Sequence, residues 1–100
     1  MHSRNQFLLG LTVFLMTMSA SSIAQERNVA LLASSCAACH GTNGHSVGGI
    51  PSLAGASESY FVEQMTQFAN GERKSTVMYQ HVAGYTQEEI ELMAAYFAKQ

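Results

Sequence analysis

Cys36-Ala37-Ala38-Cys39-His40 places two thiols and an imidazole within five residues. On a helical turn, positions i, i+3 and i+4 share one face, so both sulfurs and the ring can meet a single flat ligand. Cys-x-x-Cys-His at this spacing is the pattern through which two thiols add to the vinyl groups of a haem, while the histidine supplies a nitrogen to the iron. Two other chemistries use paired cysteines. A dithiol redox pair follows a buried strand in a βαβ pattern, whereas Val29 to Ser35 reads as helix and no strand-rich run occurs in the chain. A structural zinc site needs four ligands, and downstream of the motif only the isolated His45 and His81 remain. Haem is the ligand that uses every residue of the motif.

The sixth position on the iron decides what such a group does. A methionine sulfur there favours the reduced metal and raises the potential. Met65 and Met93 sit at the centres of helical apolar stripes, where a methionine fills core space. Met78 lies in the segment from Glu72 to Tyr85, read as a loop that can fold over the haem face opposite His40. It is the expected distal ligand, with simple gap filling as its alternative. His81 is the rival and would give a low-potential bis-histidine site. His45, five residues after His40, is poorly placed to reach the other face.

Three helices are needed to position these residues. Val29, Leu32, Ala33 and Cys36 follow the i, i+3, i+4, i+7 pattern, so a first helix turns the first thiol onto its apolar face. Gly41 to Gly55 is rich in Gly, Ser, Thr and Asn and reads as an irregular loop. A second helix is expected from about Ser57 to Asn70, with Phe61, Met65 and Phe68 on one stripe and Gly71 as a left-handed cap. The third begins at Thr86, where Thr-x-x-Glu with Glu89 forms a capping box, and it buries Ile90, Met93, Ala94 and Phe97. No repeat and no second Cys-x-x-Cys-His occurs, so the reading is one haem in one all-α domain.

The N-terminus reads as an export signal. Arg4 precedes an apolar run from Phe7 to Met18, and Ser22-Ile23-Ala24 offers the small residues of a cleavage site. The run has 12 residues, short of the roughly 20 that span a bilayer core. Residues 1–24 are therefore expected to be removed, leaving a domain over 25–100 with no stable membrane insertion. Export suits the motif, because thiols are captured by haem on the outer side of the membrane, and two cysteines cannot serve both a disulfide and a thioether-bound haem. The expected compartment is the periplasm. Residues 25–100 carry four basic side chains against seven glutamates, a formal charge of −3. That balance disfavours nucleic acid and anionic membranes and suits a partner with a basic docking patch. A domain this small has a marginal apolar core, so haem doubles as its internal staple.

Beyond the motif, Ile50-Pro51-Ser52-Leu53-Ala54-Gly55, Tyr60 through Met65, Gly71-Glu72-Arg73, Ser75-Thr76-Val77-Met78 and Gly84-Tyr85-Thr86 through Phe97 together resemble a small class I cytochrome c. Within that class the chain is similar to the haem domains of the cytochrome subunit of flavocytochrome c sulfide dehydrogenase and to related soluble monohaem cytochromes. The resemblance implies short helices wrapped around one covalently bound haem c, with Cys36, Cys39, His40 and Met78 as the residues that bind it. His40 and Met78 would be the axial ligands. It also implies that the Pro51 carbonyl holds the proximal imidazole. The chain departs from the pattern at His81, where relatives tend to be aliphatic, which leaves pH-dependent ligand exchange open, and at Ala56, where Gln is common. Arg73 and Lys74 suit a haem propionate or a solvated surface equally, and Tyr79 and Tyr85 suit a propionate or ring-edge packing.

The expected function is one-electron transport without substrate chemistry. The alternative is the haem subunit of a flavoprotein dehydrogenase, taking electrons from its flavin. A third possibility, an open-site haem protein, depends on Met78 not binding iron. The partners implied by the resemblance are redox proteins: a flavoprotein dehydrogenase, a cytochrome bc1-type complex, or a terminal oxidase or reductase.

Overall fold

The computed structural model describes residues 28–100; the expected signal segment, 1–24, lies outside the described residues. Among the described residues the structure is helical, with no β-strand. The elements are α1 (residues 28–34 of the described chain), α2 (Ala37–His40), a 3₁₀ turn (Thr42–Gly44), α3 (Glu58–Asn70), α4 (Met78–Val82) and α5 (Gln87–Ala98).

The two long helices start and stop where their end residues dictate. The Ser57 hydroxyl accepts from Tyr60 N–H at 3.2 Å, which opens α3, and Gly71 at φ 82° closes it in the left-handed region. Thr86 and Glu89 form the reciprocal box at the start of α5, with bonds of 3.1 and 2.9 Å. Such a cap stabilises a helix by about 1 kcal/mol.

α3 packs against α5 and α4. Ala33, Phe61, Met65, Val82, Ile90, Met93, Ala94 and Phe97 form the buried core, and Met93 and Phe97 are its most enclosed large side chains. The Phe61 and Phe97 rings lie 5.7 Å apart, and Tyr96 meets Phe97 edge-on at 5.3 Å. The expectation that Met65 and Met93 are core residues is met by burial to 6% and 0% exposure.

Two segments differ from the sequence reading. The first helix does not run unbroken into the motif: it gives way to a turn at residues 35–36 before α2 begins. Ser34 and Ser35 hydroxyls donate to Leu31 O at 2.6 Å and Leu32 O at 3.1 Å, side-chain bonds that compete with the helical ladder. The stretch from Glu72 to Tyr85 is likewise not all loop, since Met78 begins the five-residue helix α4. Val82, 2% exposed, anchors the end of that helix in the core.

Candidate functional site: the Cys-x-x-Cys-His turn and the Met78 segment

The motif forms the turn its spacing requires. Cys36 caps α2 in the αR region, and its carbonyl accepts from Cys39 N–H at 3.3 Å and His40 N–H at 2.9 Å. Cys36, Cys39 and His40 therefore share one face of the turn. Both thiols are free: Cys36 is half-buried against the core, and Cys39 is exposed. Burial pushes the Cys36 thiol above its ordinary value, and a hydrogen bond with Ser35 pulls it partly back.

The chain reverses directly after the motif. Gly41 has φ 86°, and a Cβ there would lie 2.0 Å from His45 O, so only glycine makes the turn. The Gly44 carbonyl then accepts from Leu53 N–H at 2.8 Å and Ala54 N–H at 3.1 Å, closing the intervening loop on itself. Gly55 N–H donates to Phe97 O at 2.9 Å, and the Tyr96 hydroxyl donates to the Asn43 side chain at 3.0 Å, so the loop is pinned to the end of α5.

The product of that closure is a defined imidazole. His40 Nδ1 lies 2.6 Å from the Pro51 carbonyl oxygen. A carbonyl oxygen only accepts, so Nδ1 carries the proton and the Nε2 lone pair is left free for a metal. The same bond fixes the ring plane. This is the contact that the resemblance implied for Pro51.

Met78 is half-buried and packs against the core at the start of α4. Ser75 Oγ accepts from Tyr79 N–H at 3.0 Å and steadies this first turn. His81 lies in the last turn of α4 and is exposed, while Val82 beside it points into the core. Tyr85 is not free: its hydroxyl lies 2.6 Å from Ser35 Oγ. That bond ties the residue before Cys36 to the residues just after α4. Nothing in the local sequence of either residue announces it, because the partners are 50 positions apart. Arg73 does not point into open solvent either, since its guanidinium lies 4.7 Å from the Phe68 ring centroid. His45 is exposed and stays off the His40 contact.

The donor set suits haem. It offers two unpaired thiols on one face, an imidazole with its coordinating nitrogen free, and a thioether on a separate short element. Ile50, next to Pro51 in the chain, and Val77 and Tyr79, on either side of Met78 in the chain, are 44%, 49% and 51% exposed. No group of three or more His, Cys, Asp or Glu side chains among the described residues is gathered for a metal ion.

The cytochrome c family model matches residues 26–100. The chain is a member of the cytochrome c family. Membership brings a covalently bound c-type haem, and the two cysteines of this cytochrome are those at 36 and 39. The cytochrome subunit of sulfide dehydrogenase from Chlorobaculum tepidum is 52% identical over 67 residues, covering 67% of this chain and 61% of that protein. The thiosulfate dehydrogenase electron acceptor of Thiomonas intermedia is 36% identical, covering 67% of this chain and 32% of its own length. A solved cytochrome c4 from Acidithiobacillus ferrooxidans superposes with a TM-score of 0.62 at 37% identity, over 65% of this chain and 38% of that one. The chain thus spans about three-fifths and one-third of the two curated relatives. The class I architecture expected from sequence is the one found.

Proposed function

We propose that this cytochrome is a periplasmic one-electron carrier whose haem is bonded through Cys36 and Cys39 and ligated by His40 and Met78. When bound, the haem supplies a metal that cycles between two oxidation states. The chain's residues make that cycling fast by staying where they are. His40 is held by the Pro51 carbonyl, and Met78 is held by a helix whose far end, Val82, is buried. Ligands held in this way would keep their places in both oxidation states, so little reorganisation would oppose transfer. The reading is of a transport protein rather than an enzyme.

The observation that carries the proposal is the 2.6 Å contact between His40 Nδ1 and the Pro51 carbonyl oxygen, which leaves Nε2 of a neutral ring without that partner, on the same turn as both thiols. Export follows from the same chemistry, with removal of residues 1–24, since the thiols must meet haem outside the cytoplasm. No helix among the described residues is long and apolar enough to cross a membrane. Glu58, Glu63 and Glu91 gather along the open groove between α3 and α5, a face suited to a partner with a basic patch.

The identity to a sulfide dehydrogenase subunit supports a second reading, in which this domain sits on a flavoprotein and takes electrons from its flavin. A cytochrome bc1-type complex or a terminal oxidase or reductase fits the carrier reading instead. Haem staining of denaturing gels tests the attachment: Cys36→Ala with Cys39→Ala should lose all covalent haem, and full staining in that double variant refutes it. Size-exclusion chromatography of the native holoprotein separates the two functional readings, with a lone domain favouring the carrier and a stoichiometric flavin-containing complex favouring the subunit.

A further inference from the structure

The segment that delivers Met78 is loosely supported over much of its length. Residues 72–77 join α3 to α4, and an open groove lined by Phe68, Ala69, Arg73, Lys74, Ser75 and Tyr79 runs beneath them. Thr76 and Val77 are exposed. Packing therefore does not define the path of this strap, and its position rests on a few discrete contacts.

Arg73 makes most of them. Its backbone N–H donates to Gln67 O at 3.1 Å, its guanidinium donates to the Gln64 side-chain oxygen, and the same group lies 4.7 Å from the centroid of the Phe68 ring. One residue thus grips the last two turns of α3 at three points. Phe68 in turn packs against the core, so the grip is anchored. Five residues later the chain reaches Met78.

We propose that Arg73 is a positioning residue for the distal ligand: it latches the strap to α3 and so holds Met78 in place. The proposal rests on Met78 being that ligand. Guanidinium suits the task because its plane lies on an aromatic face while its edge donates to an amide oxygen, which a lysine ammonium cannot do together. Releasing the latch lengthens the free strap and lets Met78 leave more often, so an external ligand reaches the iron sooner.

Cyanide binding to the oxidised holoprotein measures that opening, followed alongside the weak near-red absorption of methionine-ligated ferric haem. Loss of one cation–π contact and one hydrogen bond should raise the binding rate of Arg73→Ala about 10-fold. Arg73→Lys keeps the charge over Phe68 and should recover part of the loss. Gln64→Ala should accelerate binding too, and by less when Arg73 is already Ala, because the two share one contact. Lys74→Ala should match the wild type. All variants are compared well below their unfolding midpoints, where a change in global stability does not alter the rate. A wild type without the near-red band overturns the ligand reading and the latch with it. With the band present, an unchanged rate in Arg73→Ala overturns the latch alone. So does acceleration in Arg73→Ala with Gln64→Ala and Phe68→Leu both silent, since Arg73 would then act through its charge elsewhere.

Discussion

Met93→Ala separates the methionines that pack from the one proposed to bind. Met93 is fully buried, in the layer where α5 meets α3, within a core that includes Phe61 and Phe97. Truncation removes the thioether and leaves a cavity that helices cannot easily close, at a cost of about 2–5 kcal/mol. A domain of this size has roughly 4–11 kcal/mol of total stability, so a large share would be lost. Urea unfolding of the holoprotein, followed by far-ultraviolet circular dichroism, should show the midpoint falling by about 0.7–5 M, since a small domain has an m-value near 1–3 kcal/mol per M. The near-red band should persist in the folded variant, because Met93 faces other core residues. Met65→Ala should behave alike, with a somewhat smaller loss because its site lies nearer the surface. A cost below about 1 kcal/mol for Met93→Ala would mean that the core collapses around the gap and the packing argument fails. Loss of the near-red band in folded Met93→Ala would show that the wrong methionine has been assigned to the core.

Two glycines with left-handed φ should respond differently to alanine. At Gly44 a Cβ would meet Phe97 Cδ1 at 2.8 Å and Ala54 N at 2.9 Å, whereas at Gly71 nothing lies within 4 Å. Gly71→Ala should cost only the backbone strain, about 1–2 kcal/mol, and Gly44→Ala distinctly more, which thermal unfolding of the two holoproteins will rank. Equal losses would show that the loop after the motif yields freely. The exported protein should begin at Gln25, checked by intact mass; a product retaining Phe7 to Met18 would indicate an anchor.

The parts of this fold that are legible in the sequence are those whose signals are local. Ser57, Gly71, Thr86 and Glu89 mark helix ends because each satisfies backbone groups a few residues away. The buried faces of α3 and α5 are long enough for periodicity to register. α4 is not, because five residues hold little more than one turn, and the stretch reads as loop until Val82 is seen to be buried. The break after residue 34 is also hidden, since apolar spacing continues through it while the Ser34 and Ser35 hydroxyls compete with the ladder. The thiols and His40 are legible from spacing alone, and the Pro51 contact from resemblance. The Ser35–Tyr85 bond and the Arg73 grip are tertiary, set by where α1, α3 and α4 come to rest. Neither follows from the residues beside them.

The visible and near-infrared spectrum of the oxidised holoprotein, taken for the wild type and for Met78→Ala, tests the ligand assignment most directly. The wild type should show the weak near-red absorption of methionine-to-iron charge transfer. Met78→Ala should lose it, fall in potential and bind carbon monoxide when reduced, unless His81 moves in to give a low-potential bis-histidine form. In that case Met78→Ala with His81→Ala should bind carbon monoxide freely. An unchanged spectrum and potential in Met78→Ala, together with altered values in His81→Ala, would contradict the account.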